Sequence, residues 1–265
     1  MVRRAVAAGQ LYPEDPAELR HLVKGLLGDI QLQTGPAPKA IIVPHAGYHF
    51  SGPVAASAYA RFLGDRDVIK RVVLVGPAHY LAVSGVAASS AEAFATPLGL
   101  VPVDTEAVRQ ICLSAGVSIR DAAHEREHSL EVQLPFLQMI LGDFKIVPLV
   151  TGDDAEYDLA AVIARLWGGP ETRFVISSDL SHYHRYSIAR DLDAATSRAV
   201  EELRPQDIGE EHACGRIPIR GLLRAARLHE MHARTVDLRN SADTSGMRSD
   251  VVGYGAFVFD EKGCP

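Results

Sequence analysis

Three histidines occupy the same kind of position in this chain. Ile41-Ile42-Val43 runs into Pro44-His45-Ala46-Gly47-Tyr48, and Val72-Val73-Leu74-Val75 runs into Gly76-Pro77-Ala78-His79-Tyr80. Phe174-Val175-Ile176 runs into Ser177-Ser178-Asp179-Leu180-Ser181-His182. Each time a short apolar run ends in a Gly- or Ser-containing loop that carries an imidazole. Neutral imidazole is the commonest protein ligand for transition metals, and it transfers protons near neutral pH. A lone histidine at a strand end is ordinarily a hydrogen-bonded loop residue; three in equivalent positions make coincidence a poorer account. Asp179 can either bind metal or orient a neighbouring imidazole.

Cys214 adds a fourth element. It lies in His212-Ala213-Cys214-Gly215-Arg216-Ile217-Pro218, ahead of a helix-like stretch over 219–231. Proline suits the first helical turn, which sets Cys214 near a helix N-terminus. The exposed amides there favour thiolate, the form that binds metal. The bland alternative is a small buried filler, the usual role of a free cysteine. Cys112, within Gln110-Ile111-Cys112-Leu113, fits that role, and Cys214 does not.

A competing signature lies between these segments. His124-Glu125-Arg126-Glu127-His128 matches H-E-x-x-H, in which two histidines on one helix face hold zinc beside a glutamate base. The preceding Ile119-Arg120-Asp121-Ala122-Ala123 has little of a buried amphipathic helix, and no third ligand follows at a sensible distance. His128 and Glu131 are alternatively part of the pocket wall, or capping and solvated surface groups. Tyr48 and Tyr80 follow candidate ligand histidines, where they either line the pocket or pack.

Positioning these groups requires strands. Apolar runs bounded by turn residues recur at 40–44, 71–76, 145–150 and 173–178, rich in Val and Ile as befits strands buried on both faces. Helix-period stretches cover 53–63, 105–115, 155–166 and 188–203. This alternation predicts an α/β fold: one domain over 1–265 with a mixed, mostly parallel central sheet flanked by helices. Open sheets of this class bind ligands beyond the carboxyl ends of their strands, so parallel neighbours would turn His45, His79 and His182 toward one pocket. Residues 85–89 and 100–103 flank the turn Thr96-Pro97-Leu98-Gly99 and predict a local hairpin joining the sheet; 254–259 predicts a late strand.

Composition narrows the setting. A chain of 265 residues buries a large core without disulfide staples, and its three cysteines, Cys112, Cys214 and Cys264, are too widely spaced for a disulfide framework. A reducing, cytoplasmic location is the expectation. No apolar run approaches the roughly 20 residues needed to cross a bilayer, and the basic N-terminus lacks the apolar core of a signal peptide. A net charge of −6 argues against a nucleic-acid surface, which needs clustered Lys and Arg. Eleven histidines against eight phenylalanines and one tryptophan direct attention back to the pocket.

Taken in order, PHAGYHFSG, VGPAHY, EHSLEVQLPFLQ, SSDLSHYH and ACGRIPI resemble the Memo family, including its bacterial members. The correspondence runs from Ala8-Gly9-Gln10-Leu11-Tyr12-Pro13 to Tyr254-Gly255-Ala256, nearly the whole chain; Leu11 stands where relatives often have an aromatic residue. The family fold is similar to that of class III extradiol dioxygenases, which are non-haem iron enzymes. The resemblance implies that His45, His79 and Cys214 occupy the metal-ligand positions, with Asp179 and His182 beside them. It implies iron(II) or copper as the cofactor. A thiolate where the dioxygenases use a carboxylate is softer and itself oxidisable, so dioxygenase activity does not follow from the fold.

Three functions compete. The leading one is a metal-dependent redox protein, an oxidoreductase with His182 as acid/base and Asp179 orienting it or binding metal. The second is an adaptor that recognises a peptide or protein through a vestigial dioxygenase-like pocket, since eukaryotic relatives are associated with receptor signalling. The third is a zinc metallopeptidase acting through His124 and His128. Bacterial relatives tend to accompany radical SAM proteins, which suggests such a partner by association; neither nucleic acid nor membrane is expected.

Overall fold

Buried β-branched runs cannot leave their amides unpaired, and here they pair by laddering edge to edge. The computed structural model describes residues 1–30, 35–113, 116–245 and 247–261. Its strands, in chain order, are β1 (Val2–Arg3), β2 (Ala40–Val43), β3 (Arg71–Pro77), β4 (Val86–Ala88), β5 (Ala93–Thr96) and β6 (Gly99–Pro102). They continue with β7 (Val117–Ile119), β8 (Lys145–Thr151), β9 (Thr172–Ser177), β10 (His182–His184), β11 (His232–Asn240) and β12 (Val251–Asp260).

The centre of the main sheet is four parallel strands in the order β2-β9-β3-β8, with nearly every residue buried. Antiparallel pairs extend it on both sides. β12 lies along β2 and carries β10 and β11, while β4 lies along β8 and carries β7 in parallel. The mixed α/β sheet expected from sequence is therefore present, with its parallel strands at the centre and its antiparallel ones outside. The turn at 96–99 also forms, but the hairpin it closes is β5–β6, which joins β1 in a separate three-stranded sheet. Residues 86–88 pair with β7 and β8 instead, because that register buries Val86, Ala87 and Ala88.

The helices are α1 (Pro16–Gly28), α2 (Tyr48–Tyr59), α3 (Thr105–Ile111), α4 (Asp121–Glu125), α5 (Leu134–Ile140), α6 (Glu156–Arg165), α7 (Tyr186–Glu201), α8 (Arg216–Leu228) and α9 (Ala242–Ser245). Asp15 caps α1 by accepting the amides of Ala17 and Glu18 at 2.8 and 2.9 Å, with proline at the first position. α2 starts five residues before Pro53, where proline chemistry alone would begin it. Tertiary contact sets the start: the Tyr48 amide donates to the Leu11 carbonyl, 2.8 Å, and the Tyr48 hydroxyl to the Val132 carbonyl, 2.5 Å. α3 ends at Ile111 with Cys112 capping it, short of the expected 115; residues 114–115 lie outside the described residues, as does Cys264. α8 begins three residues earlier than periodicity suggested. Among the described residues no helix is long and apolar enough to cross a membrane.

All four central strands run the same way. The loops that follow β2, β3 and β9 therefore leave the sheet at one end, and α8 packs against β3 and β9 from there.

Candidate metal centre

The loop after β2 is held by Asp179, whose Oδ1 accepts the amides of His45 (2.8 Å) and Ala46 (3.3 Å). His45 is almost fully buried, and its ring lies 2.9 Å, Nδ1 to Oγ, from Ser177. Ser177 gives its one hydroxyl proton to the Ser129 carbonyl, 2.6 Å, and accepts Gln133 Nε2 at 2.8 Å. Toward His45 it can only accept, so Nδ1 carries the ring proton and Nε2 is left bare. Gln133 is fixed in turn by the Tyr59 hydroxyl (2.9 Å) and the Pro44 carbonyl (2.9 Å).

His79 is set by the same logic with a carboxylate. Glu127 accepts its amide at 2.6 Å and its Nδ1 at 2.9 Å, and also the Ser129 amide at 2.8 Å. Burial works against the charged carboxylate, but the His79 and Ser129 hydrogen bonds outweigh it and hold Glu127 down at about 2. In the neutral ring this hydrogen bond leaves Nε2 as the bare nitrogen of His79. A carboxylate behind an imidazole is the arrangement that fixes the tautomer of metal-binding histidines and raises their basicity.

His128 completes a cluster. One ring nitrogen from each of His45, His79 and His128 falls within 4.8 Å of the others. The His79 and His128 rings stack at 4.8 Å, and His45 meets both edge-on at 5.1 and 5.6 Å. Burial, reinforced by the neighbouring imidazoles, pushes His45 well below its ordinary value, and burial lowers His128 as well. Among the described residues the buried Nδ1 of His128 has no hydrogen-bond partner, the Glu127 carboxylate standing 3.8 Å away. Three imidazole nitrogens gathered this closely are a donor set that a metal ion can use, so the residues present fit one.

Cys214 Sγ stands 3.3 Å from His45 Nε2. The helix N-terminus does not make it a thiolate: Cys214 precedes the α8 N-cap, Gly215, and burial together with Asp179 pushes its thiol up to about 12. Desolvation outweighs the helix dipole here. Asp179 itself is raised by burial. Its hydrogen bonds go to the His45 loop rather than to His182, whose Nδ1 donates to the Leu180 carbonyl at 2.8 Å. His182 is half-buried, and its Nε2 is left for other partners.

His79, Tyr80 and Cys214 open onto a cavity of about 510 Å³, with Arg216 and Asp153 also in its wall. Tyr80 is half exposed, under the Arg126 guanidinium (5.2 Å) and beside the His128 ring (5.7 Å). Tyr48 does not line the cavity; it packs against Tyr12 and Phe136 with its hydroxyl on Val132.

The H-E-x-x-H match does not form a zinc-protease helix. α4 stops at Glu125, His124 is buried with Nε2 on the Ala87 carbonyl (3.0 Å), and only His128 reaches the histidine cluster. Glu131 is not pocket wall either. It anchors the N-terminal segment, accepting the amides of Val6 and Ala7 at 2.8 Å and the Tyr12 hydroxyl at 2.5 Å, and pairing with Arg3. Sequence reasoning missed Glu127, Ser177 and Gln133 as supports. A signal existed: Glu127, Ser129, Glu131 and Gln133 are polar at every second position, and all four are at most 2% exposed. Buried polar side chains must be satisfied, so such a run marks a hydrogen-bonding strip.

The fold and pocket define a class: an α/β protein with a histidine cluster at the carboxyl ends of parallel central strands. The Memo-like protein family model matches residues 3–258, and the chain belongs to that family. It is 36% identical to a MEMO1 family protein of Aquifex aeolicus, over 97% of this chain and 99% of that one. It is 38% identical to one of Aeropyrum pernix (96% and 98%) and 32% identical to one of Nitrosopumilus maritimus (98% and 100%). Among solved structures, uncharacterized protein JW3007 from Escherichia coli K12 superposes with a TM-score of 0.52 at 12% identity, covering 81% of this chain and 98% of that one, a likeness of fold alone.

Proposed function

We propose that this protein is a metal-dependent redox protein with one iron(II) or copper ion bound by His45, His79 and Cys214, and His128 alongside. The observation that carries the reading is the histidine cluster with its supports: Ser177 and Glu127 each accept a hydrogen bond from an Nδ1, so His45 and His79 are held within the His45–His79–His128 group, with the Cys214 thiol 3.3 Å from His45 Nε2. Iron or copper bound there would supply electron transfer and Lewis acidity to a molecule in the adjoining cavity. The protein's own contribution is positional and acid–base. Glu127, Ser177 and Gln133 hold the imidazoles, Cys214 must give up its proton on binding, and His182 Nε2 gives or takes a proton while Leu180 fixes its ring.

The test is metal content by mass spectrometry after anaerobic purification, for the parent and for Cys214→Ala and His45→Ala. Near-stoichiometric iron or copper lost in both variants supports the site. Equal metal in all three proteins would sink it. An adaptor role has one observation in its favour, the exposed Tyr80 and Leu81 on the open cavity. It predicts peptide binding that survives metal removal.

A further inference from the structure

At the other end of the sheet from the histidines an amine is buried beside a guanidinium. β2 and β9 are parallel with Ala40 opposite Phe174, so Lys39 and Arg173, one step earlier, are cross-strand neighbours. The Phe174 amide donating to the Lys39 carbonyl at 3.0 Å continues the ladder through them. Both residues are at most 5% exposed. Lys39 lines a cavity of about 470 Å³, with Trp167, Asp65, Asp260 and Glu261 also in its wall.

The carboxylates of this wall surround the amine without pairing with it. Asp65 reaches Arg173 Nη2 at 3.3 Å and accepts the Ala37 amide, and Asp260 is engaged with Arg234 at 3.1 Å. Lys39 Nζ donates instead to the carbonyls of Gly169 (2.9 Å) and Gly168 (3.4 Å). The Trp167 ring lies 5.1 Å from Nζ and stacks on His229 at 3.6 Å. Burial and Arg173 lower the amine, Glu261 and Glu171 raise it, and the balance holds it at about 8. A lysine desolvated next to another cation is nucleophilic near neutral pH. The neutral amine has two hydrogens, one for each glycine carbonyl, which leaves its lone pair uncommitted.

We propose that Lys39 is a nucleophile that condenses with small neutral aldehydes entering this cavity. The lone pair attacks the carbonyl carbon, an N–H proton passes to the carbonyl oxygen, and loss of water from the carbinolamine leaves a C=N bond to Nζ. No oxidant or reductant is consumed. The wall carboxylates repel anionic carbonyl compounds, and Trp167 offers an apolar face. The site is independent of the metal centre, since it stands at the amino ends of the strands whose carboxyl ends carry the histidines.

Incubation of the full chain with acetaldehyde at pH 7.5, a borohydride quench that reduces imines, and peptide mass mapping test this. At that pH roughly a quarter of an amine titrating at about 8 is unprotonated, against roughly a thousandth for an ordinary lysine. Lys39 should therefore be labelled at least about tenfold faster than the exposed Lys24, Lys70 and Lys145. Its rate should level off above about pH 8, and its preference over the exposed lysines should shrink several-fold when glyoxylate replaces acetaldehyde. Labelling should persist in His45→Ala. The proposal is overturned by labelling of Lys39 no faster than of the exposed lysines, or by a rate still rising steeply between about pH 9 and 10. An equal preference with glyoxylate, or loss of labelling in His45→Ala, also overturns it.

Discussion

Glu127 touches the proposed metal only through His79, yet it sets which nitrogen of that ring is bare. Glu127→Gln keeps the size but removes the charge behind the imidazole, so metal affinity should fall about 10–100-fold while the secondary structure persists. A competition titration with a chelator measures it; unchanged affinity would mean that His79 is not a ligand. Cys214 offers a second check through pH. Its thiol, held up at about 12, must lose a proton to bind metal, whereas His45 and His128 are already neutral. Affinity should therefore rise by roughly tenfold per pH unit through neutrality in the parent and lose that slope in Cys214→Ala. The three strand-end histidines were legible as residues because each followed a β-branched run. Which nitrogen His45 and His79 present was not, because that depends on Ser177, Glu127 and Gln133, which meet them only in three dimensions.

At the scale of elements, backbone approaches decide where the side chains arrive. A Cβ on Gly215 would sit 2.6 Å from Ser178 Oγ and 3.0 Å from the Ser177 carbonyl, so β9 and the start of α8 touch through a residue that has no room for a side chain. Gly215→Ala should push α8 and Cys214 off the strand, costing about 1–3 kcal/mol of stability and lowering metal affinity as well; denaturant melts and the chelator titration read both. A second element-scale device is Asp193 on α7, which accepts the Ser181 amide at 3.0 Å, next to the loop of His182. Burial raises its carboxyl to about 6 from an ordinary 3.8. The folded state then binds this proton more tightly, so the Asp193 contribution is full below about 4 and lost as pH rises through about 6. His124, lowered to about 4, acts in the opposite direction over the same window, so the difference between parent and variant is what isolates Asp193. The stability of the parent relative to Asp193→Asn should fall between pH 4 and 6 in urea unfolding; a flat difference would contradict the assignment. Element types were readable from period and composition. Their starts were not wherever a tertiary contact overrode local preference, as Tyr48 does for α2.

For the molecule as a whole, metal binding and folding are linked, because the histidine cluster is assembled from the loops after β2 and β3 together with His128 of the 127–133 segment, with Asp179 and Cys214 packed against the His45 loop. An ion at about 100 times its Kd should stabilise the native state by about 2.7 kcal/mol and raise the melting temperature by roughly 5–10 °C. Differential scanning calorimetry with iron(II) under anaerobic conditions, or with copper, tests this, and His45→Ala should abolish the shift. The sequence by itself determined the alternation of strands and helices, the parallel centre and the strand-end histidines, because hydrophobic period and turn chemistry are local properties. It also carried the five ordered motifs that mark the family. The tertiary structure alone decided that the H-E-x-x-H segment divides, with His124 turned into the core and His128 into the cluster, and that Glu131 belongs to the N-terminal segment. It alone set Lys39 beside Arg173. Each of these depends on which distant groups satisfy a buried donor, acceptor or charge, and that is fixed by packing between segments far apart in the chain.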